Sequence, residues 1–271
     1  MFRRLFKGFR RPKVVLALGG GGARGLTNVG VLKVLEEEFG SGSMPFDMVV
    51  GTSIGSLIGA AYCLGVPPAR LEKAAGGFSW PNIVDIGLHS TGLITGKKFE
   101  NIITDLIGDK GFEDMKIPFA LTTTDIENGE ELTHSSGDLV RLIRASCSWP
   151  GIFSAVEIDG RLLSDGGIRN SIPTKAALEA GAGFIIAVNP GFSVKDQKIS
   201  NILDTLVQSV QIMGEELNRY QSKEADIAIT PELKGIDQFD FDKADAIIRQ
   251  GEKTARTHIK EIRKRLGIGR G

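Results

Sequence analysis

The chain has 271 residues, 41% hydrophobic and 24% charged, with a formal net charge of zero. That balance is ordinary for a globular protein and excludes a disordered, collagen-like or disulfide-stapled chain, since Cys63 and Cys147 are its only cysteines. The charge is uneven, because residues 1–13 carry six Lys or Arg and no acid, and residues 253–271 carry seven against Glu261.

Phe2, Leu5, Phe6 and Phe9 fall on one helical face with Arg and Lys between them, and Pro12 ends that element. Basic ends on an acidic body suit an anionic partner or two solvated ends. Val14 to Leu18 reads as a strand buried on both faces. A basic start before an apolar run is superficially that of a signal peptide, but the run is too short and enters a glycine loop, Gly19 to Gly25. No apolar run approaches a membrane span. The expectation is a cytoplasmic protein with peripheral contact to the inner face of a membrane, no nucleic-acid partner, and two buried thiols.

A helix from about Leu26 to Phe39 follows, then a strand over Asp47 to Val50 and a helix of small apolar residues from Ser56. Pro67 and Pro68 open a short helix to about Ala75. Residues 78–96 read as irregular, with Phe78, Trp80, Ile83, Ile86 and Leu88 suited to an apolar groove, a mobile cap or ordinary core. Lys98 to Ile107 reads as helix. Asn128-Gly129 and Asp159-Gly160 mark two hairpins, with a helix over Asp138 to Ser146 between them. After Asp165-Gly166-Gly167 come a helix over Pro173 to Ala180, a strand over Phe184 to Val188, a long amphipathic helix over Ile202 to Tyr220, a short strand at Ile227 to Ile229 and a terminal helix over Asp242 to Leu266. Alternating strands and helices predict an α/β fold with a largely parallel central sheet, whose strand carboxyl ends gather a site at one edge. The division expected is a basic amphipathic segment over 1–12 and a single domain over 13–271.

Three motifs bear on chemistry. Gly51-Thr52-Ser53-Ile54-Gly55 lies between a strand and a helix, the context of a nucleophile elbow. Gly20, Gly22 and Gly25 satisfy G-x-G-x-x-G, the dinucleotide fingerprint, but the acid that should end the second strand is missing, since Asp47 stands at its other end. The same run of glycines bares backbone N–H groups and suits an oxyanion hole, the favoured reading. His89, His134 and His258 each lack an orienting neighbour in sequence, although His258 has the chain order of a Ser–Asp–His triad. Asp165, at a strand end before two glycines, is the remaining candidate base, or simply a turn residue.

Together these motifs resemble the patatin-like phospholipases, particularly the compact microbial members. The resemblance runs through Gly20 to Leu26, Gly30 to Leu35, Gly51 to Gly55, Ala145-Ser146, Trp149 to Phe153 and Asp165 to Asn170, and spans about Lys13 to Pro190. It implies a three-layer α/β/α sandwich and a Ser–Asp dyad without histidine, Ser53 as nucleophile and Asp165 as base. It also implies that the glycine loop forms an oxyanion hole, and that the substrates are acyl esters of phospholipids or lysophospholipids. Gly20, Gly21, Gly22 and Ile54 are the expected oxyanion donors. Arg24, Gly25, Gly51, Gly55, Gly166 and Gly167 are expected to support the motifs, with no metal and no cofactor. A lipid- or partner-binding regulator with a vestigial site, and a nucleotide binder, are the alternatives.

Overall fold

The computed structural model describes residues 11–89, 91–192, 194 and 199–269, with backbone alone at 86–89 and 203. The aromatic and basic stripe of residues 2–10 lies outside the described residues.

In chain order the elements are β1 (Val14–Leu18), α1 (Thr27–Phe39), β2 (Met48–Thr52), α2 (Ile54–Cys63), α3 (Pro68–Ala75), α4 (Trp80–Ile83), β3 (Ile86–His89), β4 (Gly92–Ile94) and α5 (Lys97–Ile107). They continue with β5 (Phe119–Asp125), β6 (Glu131–His134), α6 (Leu139–Ser146), β7 (Gly151–Phe153), β8 (Val156–Ile158), β9 (Arg161–Asp165), α7 (Gly167–Asn170) and α8 (Thr174–Glu179). The last are β10 (Phe184–Val188), α9 (Ile202–Gln221), β11 (Ile227–Ile229) and α10 (Ala244–Leu266). The main sheet has the order β11-β10-β1-β2-β5-β9-β8, with β6 paired to β5. The pairs from β11 to β5 are parallel, and β9, β8 and β6 join antiparallel through the two predicted hairpins.

The central strands are buried throughout, as their unbroken apolar runs predict. Because side chains alternate across a strand, β1 feeds two cores. Val14, Leu16 and Leu18 join the larger one, with α1, α2, α5, α6 and α10, whereas Val15 and Ala17 join a smaller one closed by Ile172, Ala176 and Ala177. The result is a three-layer α/β/α sandwich with a largely parallel sheet, as expected.

Two expectations need correction. Residues 78–96 are not irregular: α4 and the β3–β4 pair lie here, and β7 joins β4 in a second, three-stranded sheet. These strands are three or four residues long and carry Gly87, Gly92 and Gly151, so no alternation could show. The basic carboxyl terminus is not a free cationic end either. Arg256 pairs with Glu37 at 2.6 Å, Arg263 donates to Glu38 O at 2.7 Å, and Arg265 pairs with Asp226 at 3.0 Å. The acids that make the body negative are thus partly the partners of these cations. Each exposed pair contributes little to stability, but it removes a free charge from the surface.

Candidate active site

Ser53 stands between β2 and α2 with φ 53° and ψ −132°. A non-glycine residue there is strained, by about 1–3 kcal/mol, and such strain gathers at sites. The turn that imposes it is crowded. A Cβ on Gly51 would lie 2.5 Å from Gly55 O, and one on Gly55 would lie 2.8 Å from Gly19 O, so both flanking positions must be glycine. Hydrogen bonds pin the backbone on either side. Ser53 N donates to Ser146 Oγ at 2.9 Å, Ser146 Oγ donates to Thr122 O at 2.8 Å, and Ser56 Oγ donates to Ser53 O at 2.6 Å.

Sheet register brings the carboxylate to the serine. Thr52 lies level with Thr122 on β5, and Thr123 lies level with Asp165 on β9. Ser53 and Asp165 therefore face each other across the width of one strand, and their side chains close the gap. Ser53 Oγ donates to Asp165 Oδ2 at 2.7 Å, and Gly167 N donates to Asp165 Oδ1 at 2.7 Å. Asp165 is only 3% exposed. Burial raises its pKa to about 6, against the opposing pull of the bonds from Ser53 and Gly167.

No histidine is placed between them among the described side chains. His134 Nε2 is 2.8 Å from Thr123 Oγ1, and burial lowers its pKa. His258 Nδ1 lies 2.9 Å from Thr254 O on its own helix. Neither borders the pockets at Ser53. The side chain of His89 lies outside the described ones.

The glycine loop lies beside the elbow, as adjacent β1 and β2 require. Gly20, Gly21 and Gly22 border the same pocket as Ser53 and Asp165. Their amides differ. Gly20 N donates to Ser171 O at 2.8 Å and is committed, whereas those of Gly21 and Gly22 have no such partner among the described residues. Ile54 N is in the first turn of α2, where helix N–H groups lack intrahelical acceptors. Arg24 does not face the site. Its guanidinium is buried and donates to the carbonyls of Pro190, Gly191, Leu233 and Ile236 at 2.7–3.1 Å, tying the loop to two others. Gly25 packs on Ile54, and Gly166 packs on Thr122.

Two pockets meet at Ser53. One is walled by Phe78, Trp80, Ile83, Phe99, Phe153 and Phe241. The other, on the far side, is walled by Gly20 to Gly22, Ile168, Phe192 and, from α9, Val210, Met213 and Leu217. Phe78, Trp80 and Ile83 border the first pocket, and Phe78 and Ile83 are at the same time members of the larger core. The side chains of Ile86 and Leu88 lie outside the described ones. Cys147 borders the first pocket and is not remote from the chemistry, but desolvation raises its thiol pKa and keeps it protonated. Sequence reasoning assigns no role to Ser146, the Phe239–Phe241 wall or α9. Only the Ser146 and Trp149 segments stand in a recognisable motif.

A sequence model of the family described as patatin-like phospholipase matches residues 16–178. The chain is 35% identical over 213 residues to Neuropathy target esterase sws of Drosophila melanogaster, covering 76% of this chain and 15% of that protein. It is 36% identical over 215 residues to human Patatin-like phospholipase domain-containing protein 6, with the same coverages. It is also 36% identical over 211 residues to Lysophospholipase NTE1 of Scheffersomyces stipitis, covering 76% of this chain and 13% of that protein. The chain therefore spans about a seventh of the length of these relatives. Among solved structures, VipD from Legionella pneumophila superposes with a TM-score of 0.61 at 11% identity, covering 93% of this chain and 67% of that one. That likeness is one of fold. On the extent of the family match, the chain belongs to the patatin-like phospholipase family.

Proposed function

We propose that the protein is a serine acyl hydrolase that cleaves fatty-acyl esters of phospholipids or lysophospholipids through a Ser53–Asp165 dyad. The observation that carries this reading is the direct 2.7 Å bond from a strained serine hydroxyl to a buried carboxylate, at the junction of two largely apolar pockets. Asp165 takes the Ser53 proton as Oγ attacks the ester carbonyl. The amides of Gly21, Gly22 and Ile54 receive the oxyanion, and a single donor of this kind contributes about 10²–10³ in rate. Asp165 passes that proton to the departing alcohol or lysolipid as the acyl-enzyme forms, and, again ionised, activates water to release the fatty acid. Gly20 serves by closeness rather than as a donor: a Cβ there would lie 2.9 Å from Ser53 Cβ. The name Lysophospholipase NTE1 on one relative supports lysophospholipids as the first substrates to try.

Incubation with a panel of phospholipids and lysophospholipids, read as released fatty acid by mass, tests this function. Release from at least one ester by the wild-type chain is expected, and silence across the panel would overturn it.

A peripheral lipid contact belongs to the same reading. The described helices include none long and apolar enough to cross a membrane. Ile202, Leu206, Met213 and Leu217 are exposed along α9, beside the second pocket, and supply an apolar rim at its mouth. The stripe of Phe2, Leu5, Phe6 and Phe9 among basic residues has the pattern of an interfacial anchor for anionic lipid. Deletion of residues 1–10 should leave hydrolysis of a short soluble ester intact and weaken co-sedimentation with anionic liposomes, with high salt mimicking the deletion. Arg11 must stay, because it pairs with Asp47, whose Oδ2 also accepts from Val14 N. Equal co-sedimentation by the truncated chain would remove the anchor.

A further inference from the structure

One buried polar group at the site has no task in the mechanism above. Gln238 is 5% exposed, and its Nε2 has no hydrogen-bond partner among the described residues. Leaving a buried donor unpaired is costly, so such groups are rare and call for a reason. Its location supplies one. Gln238 borders both pockets, together with Gly22, Ser53, Trp149 and Asp165. An ester whose acyl chain fills one pocket and whose alcohol fills the other has its carbonyl at this junction.

The backbone that carries that side chain is held in place. Asp237 Oδ1 accepts from Phe239 N at 2.9 Å, and Asp240 Oδ2 accepts from Asp237 N at 2.8 Å, so the turn is closed from both ends. Trp80 Nε1 donates to Phe239 O at 3.0 Å, and the Trp149 ring meets Phe239 edge-on at 5.7 Å. Gln238 O accepts from Ala23 N at 2.8 Å, which clamps the turn on the glycine loop. The approach is close enough that a Cβ on Gly22 would lie 3.2 Å from Gln238 Cβ.

We infer that Gln238 is a substrate-contacting donor, its Nε2–H joining the Gly21 and Gly22 amides around the oxygen of the scissile carbonyl. The inference rests on the acyl-hydrolase reading of Ser53 and Asp165. It lies outside the matched family segment, which ends at residue 178. A donor in a site sheltered from water acts strongly where charge develops, and Nε2, closed off from solvent in the free protein, reaches the oxygen by a turn of its side chain as the substrate enters. The orphaned amide is then a group whose partner arrives with the substrate.

Gln238→Leu and Gln238→Glu test it. Leucine removes the donor, and the carboxylate of glutamate replaces it with an acceptor that repels the oxyanion. Both should lower kcat on a soluble short-chain ester by about 10²–10³, with KM little changed, and slow fluorophosphonate labelling of Ser53 in parallel. Thermal unfolding separates this from a structural role. Leucine sacrifices no internal hydrogen bond, so Gln238→Leu should melt no lower than wild type. Unchanged kcat in both variants, a loss carried by KM alone, or a fall in melting temperature that accounts for the lost activity would overturn the assignment. Wild-type turnover of the same ester is measured alongside. If the wild type is inactive, the acyl-hydrolase reading has failed; if it is active and the variants match it, only the role of Gln238 has.

Discussion

Ser53→Ala should abolish ester hydrolysis and fluorophosphonate labelling together, while the protein stays folded. The expectation of a clean loss comes from how the elbow is held. The bonds that fix residue 53 run through its own N and O, to Ser146 Oγ and from Ser56 Oγ, and neither uses the Ser53 side chain. Removing Oγ thus deletes the nucleophile without releasing the turn. Alanine keeps the strain of a φ of 53°, since it also carries a Cβ. Ser53→Gly removes that strain, so it should be equally inactive yet melt higher than Ser53→Ala. Intact-mass detection of the phosphonyl adduct, with melting curves of both variants, checks the pair. Labelling that persists in Ser53→Ala would mean that another residue is the nucleophile. Cys147 is the neighbour to examine first, although its protonated thiol argues against it.

Much of this site is legible in the sequence, because its parts are local. The strand, G-x-S-x-G and helix of the elbow lie within one short stretch, and residues 14–18 and 184–188 are short, unbroken apolar runs bounded by Gly or Pro, which suits a buried strand better than a helix. Asp165 is legible as a strand end before two glycines. What sequence cannot show is its distance from Ser53, which depends on β5 lying between β2 and β9 in register. The aromatic wall of the first pocket is only half visible. Phe78 and Trp80 stand out by composition, but Phe239 and Phe241 come from a segment more than 150 residues later, and no period links the two. Gln238 is invisible for a sharper reason: its interest lies in a bond that is not made. The amide of Gly20 is the converse case. Four glycines in a row suggest equivalent donors, and only the bond to Ser171 O separates Gly20 from Gly21 and Gly22.

Asp165→Asn should lower kcat by about 10²–10⁴, the usual weight of a general base, while leaving the fold in place. Asparagine has the same shape, and its carbonyl can still accept from Gly167 N, but the amide cannot take the Ser53 proton. The wild-type pH profile gives a second reading of the same group. Burial raises the pKa of Asp165 to about 6, so kcat/KM should fall about tenfold per pH unit below that value. An ordinary exposed aspartate would place the fall near 4 instead. Stability must move the other way. A carboxyl whose folded pKa lies above its unfolded value favours the folded state while protonated. That contribution is fully present below about pH 4 and is lost as pH rises through about 6. At pH 8 the wild type therefore carries a buried charge that Asp165→Asn does not, and the variant should melt higher. The gap should close as the pH falls below 4. Loss of activity with this closing of the melting-temperature gap assigns the base to Asp165. An equal loss in His258→Ala would instead require a triad and a rearranged carboxyl-terminal helix.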